Sequence, residues 1–181
     1  MKRSLVLLTC VLALALGATA QNQINFANLP LVSTPAPMPN GYYGFNWSNF
    51  FYVDPGQWSG AGAGYKLGPV LNQDVAFIGG TDCTCCLTAL HHSCSGTITA
   101  NGPISFQAVN ATVAAGFGPT SITVLAYNNG NYVGTSFYTL GTELQTINFP
   151  ASWGQITELT FQLPAGGDLV FYDLQVYLIV E

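Results

Sequence analysis

The sequence predicts an all-β protein, an antiparallel β-sandwich or jelly roll of about ten short strands. Three observations carry that expectation. Apolar and polar residues alternate with a period of two through most of the chain, and turn-forming residues recur at roughly 8–12-residue intervals. No stretch places apolar residues at helical spacing for three turns.

The chain opens on Met1-Lys2-Arg3, an apolar run from Leu5 to Leu16, and the small-x-small pattern Ala18-Thr19-Ala20. This is the layout of a secretory signal peptide over residues 1–20, cleaved before Gln21. The apolar run is shorter than the roughly 20 residues a membrane span needs. Residues 21–181 then read as one domain, with a cysteine-rich insert at 83–94. No later run is long and apolar enough to cross a bilayer, so a released or surface-bound extracellular protein is expected.

Ile24 to Leu29 is a first strand, ended by Pro30. Pro35-Ala-Pro-Met-Pro39 reads as an extended loop, because proline donates no ladder hydrogen bond. It feeds the ring-rich stretch Asn40-Gly-Tyr-Tyr-Gly-Phe-Asn-Trp-Ser-Asn-Phe-Phe-Tyr-Val53. Read as one strand, this places Phe45, Trp47 and Asn49 on one face and Asn46, Ser48 and Phe50 on the other. Asp54-Pro-Gly stops it with turn chemistry, and Gly60 to Gly64 is a pliable connection. Strands are expected at 73–78, 95–100, 104–109 and 112–117. Residues 121–127 and 132–140 flank Asn128-Asn-Gly-Asn131, a hairpin signal. Further strands are expected at 146–149, 157–163 and 169–180.

Charge narrows the partners. Once the leader is removed, Lys66 is the only Lys or Arg, against eight acidic residues. Phosphate backbones are held by clustered Lys and Arg, so nucleic acid is excluded as a partner. Anionic membrane surfaces are excluded by the same sign argument.

Cys83, Cys85, Cys86 and Cys94 surround His91-His92. In a secreted chain an even count reads first as two disulfides. Bridge geometry favours Cys83–Cys86 with Cys85–Cys94, since adjacent cysteines close a distorted ring. A zinc or copper site is the alternative, because thiolates and imidazoles are suitable ligands. Asn46-Trp-Ser48 and Asn110-Ala-Thr112 are glycosylation sequons; Asn110, placed after a strand, is the more accessible on this reading.

No catalytic constellation emerges. Glycoside hydrolysis needs two facing carboxylates, and nothing local marks out Glu143, Glu158 or Asp173 as such a pair. No Gly-x-Ser-x-Gly turn or phosphate-cradling motif is present, and no organic cofactor is expected. Asp173 interrupts an apolar strand on the face expected for Leu169 and Phe171. It reads as a hydrogen-bonded strand residue or, with carbonyls of the first strand, a calcium ligand. The rings in or beside loops, Tyr42, Tyr43, Tyr52, Trp58, Tyr65 and Trp153, are candidate sugar-stacking residues.

The order of motifs resembles a family of secreted bacterial and fungal proteins. The resemblance rests on Ile24-Asn-Phe-Ala-Asn-Leu29, the Asn-Gly-Tyr-Tyr-Gly-Phe-Asn-Trp-Ser-Asn stretch at 40–49, Gly64-Tyr65, Val75-Ala-Phe77, the segment 124–130, Ile156 to Phe161 and the last strand with Asp173. It implies a galactose-binding-domain-like jelly roll similar to carbohydrate-binding modules, with no established activity and no catalytic residue. The family's acidic residues in the first strand are replaced by Ala27 and Asn28, and the 83–94 insert lies outside the pattern. Extracellular or cell-wall glycan is the expected ligand. A structural or effector role, or a glycan-acting enzyme, are the alternatives.

Overall fold

The computed structural model describes residues 19–59, 63–66, 73–78, 94–114, 120–164 and 168–179. The signal peptide expected over residues 1–20 lies outside these residues, except for Thr19 and Ala20, which begin the first strand. So does the Cys-rich insert with its disulfide and metal readings, apart from Cys94, whose backbone begins a strand.

Eleven strands are described: β1 Thr19–Asn25, β2 Ala36–Pro37, β3 Phe45–Ser48, β4 Phe50–Val53, β5 Val75–Ile78, β6 Cys94–Val113, β7 Thr120–Asn128, β8 Asn131–Leu140, β9 Gln145–Asn148, β10 Ile156–Leu163 and β11 Leu169–Ile179. They form an antiparallel jelly-roll sandwich. The first sheet runs β2-β4-β5-β11-β6, with β1 also on β11 and β9 on β6. The second runs β3-β6-β10-β7-β8. Expected as three short strands, 95–113 is instead the single strand β6. Its first part pairs with β3 and β10, and its second part with β11 and β9. Asn101-Gly-Pro103 lies where it passes between layers, with the small residues a bend requires.

The ring-rich stretch is two strands rather than one. Asn49 breaks it with φ at 58°, a left-handed conformation that asparagine tolerates better than most residues. The Asn49 Nδ2 donates to the Ser95 carbonyl at 3.1 Å, which holds the break in place. The extra turn of backbone reverses the alternation. Phe45, Trp47, Phe50 and Tyr52 therefore all enter the same interior, whereas Phe50 was expected opposite Phe45 and Trp47. The same break moves the chain from the second sheet (β3 on β6) to the first (β4 on β5).

Both layers close on one aromatic core. Phe171 lies 5.2 Å from Phe50 and 5.1 Å from Phe161, ring centre to ring centre. These tilted and edge-on contacts are the favoured arrangement for ring pairs. A bulge between Phe171 and Asp173 resets the alternation along β11, so Leu169 and Phe171 point inward and then Leu174 and Val176 do. Asp173, expected on the face of Leu169 and Phe171, is thereby turned to the outer side.

The first sheet has a second apolar layer on its outer face, where Val53, Tyr65, Val75, Phe77, Ala114, Val170 and Tyr172 cluster beneath Trp58. Strands β4 and β5 are thus covered on both sides, which is why they read as nearly unbroken apolar runs.

Candidate functional site

Among the described residues the outer face of the second sheet carries no such cover, and the paired registers fix what it presents. One row across it reads Tyr132, Tyr127, Glu158, Thr99 and Asn46. The next reads Thr135, Leu125, Thr160, Thr97 and Ser48. A third reads Phe137, Thr123, Gln162 and Ser95. Hydroxyls and amides dominate, and Glu158 is the one charge in these rows. The Thr97 and Thr160 hydroxyls are 3.1 Å apart, so the central threonines bond across the strands.

At the β8 edge this polar floor meets exposed rings. Phe137 is 76% exposed and Tyr132 60%. Tyr132 meets Tyr127 edge-on at 5.9 Å, and its hydroxyl lies 2.6 Å from Thr135 Oγ1. The β7–β8 turn holds Asn129 and Gly130 at φ 49° and 77°, the paired positive values of a tight hairpin turn. A face built this way can stack the apolar C–H side of a sugar on its rings. Neighbouring hydroxyls and amides can then exchange hydrogen bonds with the sugar hydroxyls.

The six rings expected at loops do not form one platform. Tyr52, Tyr65 and Trp153 are buried and have no ring face to offer. Tyr52 is a core residue of β4, where burial raises its hydroxyl pKa, reinforced by the charge of Asp74. Tyr65 donates to Asp168 Oδ2 at 2.5 Å. Trp153 stacks on Phe149 at 5.9 Å and plugs the interior under Gly134. Trp58 is half-buried, parallel to Phe77 at 6.3 Å and edge-on to Tyr65 at 5.1 Å. Each of these rings closes a layer, because a ring beside a loop still buries apolar area when another ring lies underneath. Tyr42 donates to the Asn25 carbonyl at 2.6 Å, and burial pushes its hydroxyl up to about 12. Tyr43, edge-on to it at 4.9 Å and bonded by Asn28 Nδ2, is the exposed member of the six.

The polar expectations also shift. Both carboxylate oxygens of Asp173 accept from Asn110 Nδ2, at 3.0 and 2.9 Å. Calcium needs oxygen ligands, and here an amide N–H occupies the position between the two oxygens, so this arrangement does not suit the ion. Asn110 lies within β6, not after a strand, and its Oδ1 accepts from Thr146 at 2.6 Å. Its amide nitrogen, the atom a glycan would occupy, is committed to Asp173. Asn46 is the exposed sequon, on the open face of β3. Glu158 and Asp173 lie on outer faces of different sheets and do not face each other. Among the described residues no three His, Cys, Asp or Glu cluster together, and no helix is long and apolar enough to cross a membrane.

No family model matches the sequence, and the curated proteins hold no match to it. Solved structures do match in fold. The K2 cleaved adhesin domain of Lys-gingipain aligns with a TM-score of 0.52 at 11% identity, over 88% of this chain and 100% of that one. The family 32 carbohydrate-binding module of C. perfringens NanJ, solved with galactose, aligns at 0.41 and 13% over 75% and 95%. TmCBM61, solved with β-1,4-galactotriose, aligns at 0.40 and 14% over 79% and 95%. The chain is similar to these domains as a β-sandwich, and at such identities the likeness concerns the fold.

Proposed function

We propose that this chain is a secreted, non-catalytic β-sandwich that binds extracellular or cell-wall glycan on the outer face of its second sheet. The carrying observation is the exposure of Phe137 and Tyr132 beside three rows of hydroxyl and amide side chains. The absence of Lys and Arg from those rows matches a neutral polysaccharide rather than a sulfated or phosphorylated one. Retention on immobilised neutral polysaccharides tests the reading. Wild type is expected to be retarded, and the double variant Tyr132→Ala/Phe137→Ala to elute with the void, with unchanged thermal stability. No retention of wild type at high protein concentration removes the reading.

A structural or interaction role is the second reading, and one observation favours it. Among the described residues β8 ends the sheet path, and its ten residues hold neither a charge nor a proline. Unguarded edges of this kind pair readily with other strands. Concentration-dependent association in sedimentation, abolished by Thr135→Lys, would support it.

A further inference from the structure

At one end of the sandwich, two aspartates lie side by side in the interior. Val53 pairs with Val75 in the β4–β5 ladder, so the next residues along the two strands are Asp54 and Asp74. Asp74 has the parity of Ala76 and Ile78, and Asp54 that of Phe50 and Tyr52, all four in the main core. Their exposures are 2% and 1%. Asp54 Oδ1 accepts from the Gly56 N–H at 2.8 Å, but neither oxygen of Asp74 has a hydrogen-bond partner. The charge of Asp74 is felt by Tyr42 and Tyr52, and Asp74 itself feels Asp54. Asp74 and the Tyr42 hydroxyl, which meets the Asn25 carbonyl at the end of β1, are therefore electrostatic neighbours.

A buried carboxylate without a partner is among the most costly groups a fold can hold. Like charges directly opposite on neighbouring strands add to that cost. Among the described residues no Lys or Arg is buried beside them, since Lys66, the one such residue after Arg3, is exposed. Two carboxylates side by side at a strand end, one of them without a hydrogen-bond partner, form a hard oxygen donor set. Such a set suits calcium, which takes oxygen ligands in flexible geometry.

We infer that Asp54 and Asp74 form a calcium site that ties the β4 and β5 ends to the end of β1. The site is separate from Asp173, which lies on the opposite side of the sheet with its own amide donor. Bound calcium adds stability through the Asp54–Asp74 end of the sandwich and leaves the open face of the second sheet untouched.

Protein stripped with EGTA and titrated with calcium chloride provides the test. At about 100 times the dissociation constant, the unfolding midpoint should rise by about 5–10 °C. Terbium ions should give luminescence sensitised by the nearby tyrosines, displaced by calcium. Asp74→Asn is expected to lose both responses, and Asp173→Asn to keep them. A wild-type midpoint and terbium signal indifferent to calcium would overturn the inference. So would an undiminished calcium response in Asp74→Asn. If that variant does not fold, the wild-type titration decides alone.

Discussion

The two outer faces of this sandwich differ more than its two sheets do. On the first sheet, Phe77 is covered by Trp58 and Tyr65, and the strands beneath are buried on both sides. On the second, Phe137 has the same chemistry, yet stands 76% exposed. One ring holds a layer down and the other is available to a ligand. The difference lies in what covers each sheet, since Trp58 and Tyr65 lie over the first and no described segment covers the second.

Mutation should separate the two faces most strongly. Phe77→Ala is expected to lose about 3–5 kcal/mol in denaturant unfolding, the usual cost of emptying a buried ring site. Phe137→Ala should fall within about 0.5 kcal/mol of wild type, as exposed positions do. Comparable losses at both would mean that the second face is covered in solution.

A smaller effect is expected where the second sheet meets the core. A Cβ added at Gly134 would lie 2.9 Å from Trp153 Cδ1. Gly134→Ala should therefore cost about 1–3 kcal/mol by overpacking, with a near-ultraviolet dichroism change from the displaced indole. An unchanged midpoint would show that Trp153 is not held against β8.

The acidic end of the first sheet should respond to pH. Burial, and then the charge of Asp54, raise the Asp74 carboxyl from 3.8 to about 6. The folded state then keeps a proton that the unfolded chain releases, so stability falls as pH rises through roughly 4 to 6. Above that window the loss is complete. In EGTA, wild type should lose stability across it and Asp74→Asn should not. A flat wild-type profile would remove this assignment.

The smallest expected effect concerns modification. Expressed in a glycosylating host, the protein should carry glycan at exposed Asn46 and none at Asn110, as read by peptide mass spectrometry. A glycan on Asn46 would stand at the far side of the open face from Tyr132. It should weaken retention only for ligands that span all five strands.

Much of this architecture was legible beforehand, and the reasons are local. The period-two alternation of Ile156–Leu163 and the Asn128–Asn131 turn depend on short-range chemistry. So did the unbroken apolar run Val75–Ile78. The misreadings share a cause too. At Asn49 and next to Asp173, a single residue changed the parity of a strand, by a left-handed backbone in one case and a bulge in the other. Each sent every later side chain to the opposite face. The exposed rings of β8 escaped for a related reason. Tyr132 and Phe137 are five residues apart, and only a register shift between Ala126 and Tyr127 brings both to one face, at a sheet edge.

The sequence alone therefore determined the all-β class, the aromatic interior and an uncommonly low charge. These follow from composition and from correlations a few residues long. Only the tertiary structure decided which rings are buried, that Asp54 and Asp74 meet, and that one face stays open. Those properties depend on residues far apart in the chain, and on changes of parity that no periodicity announces.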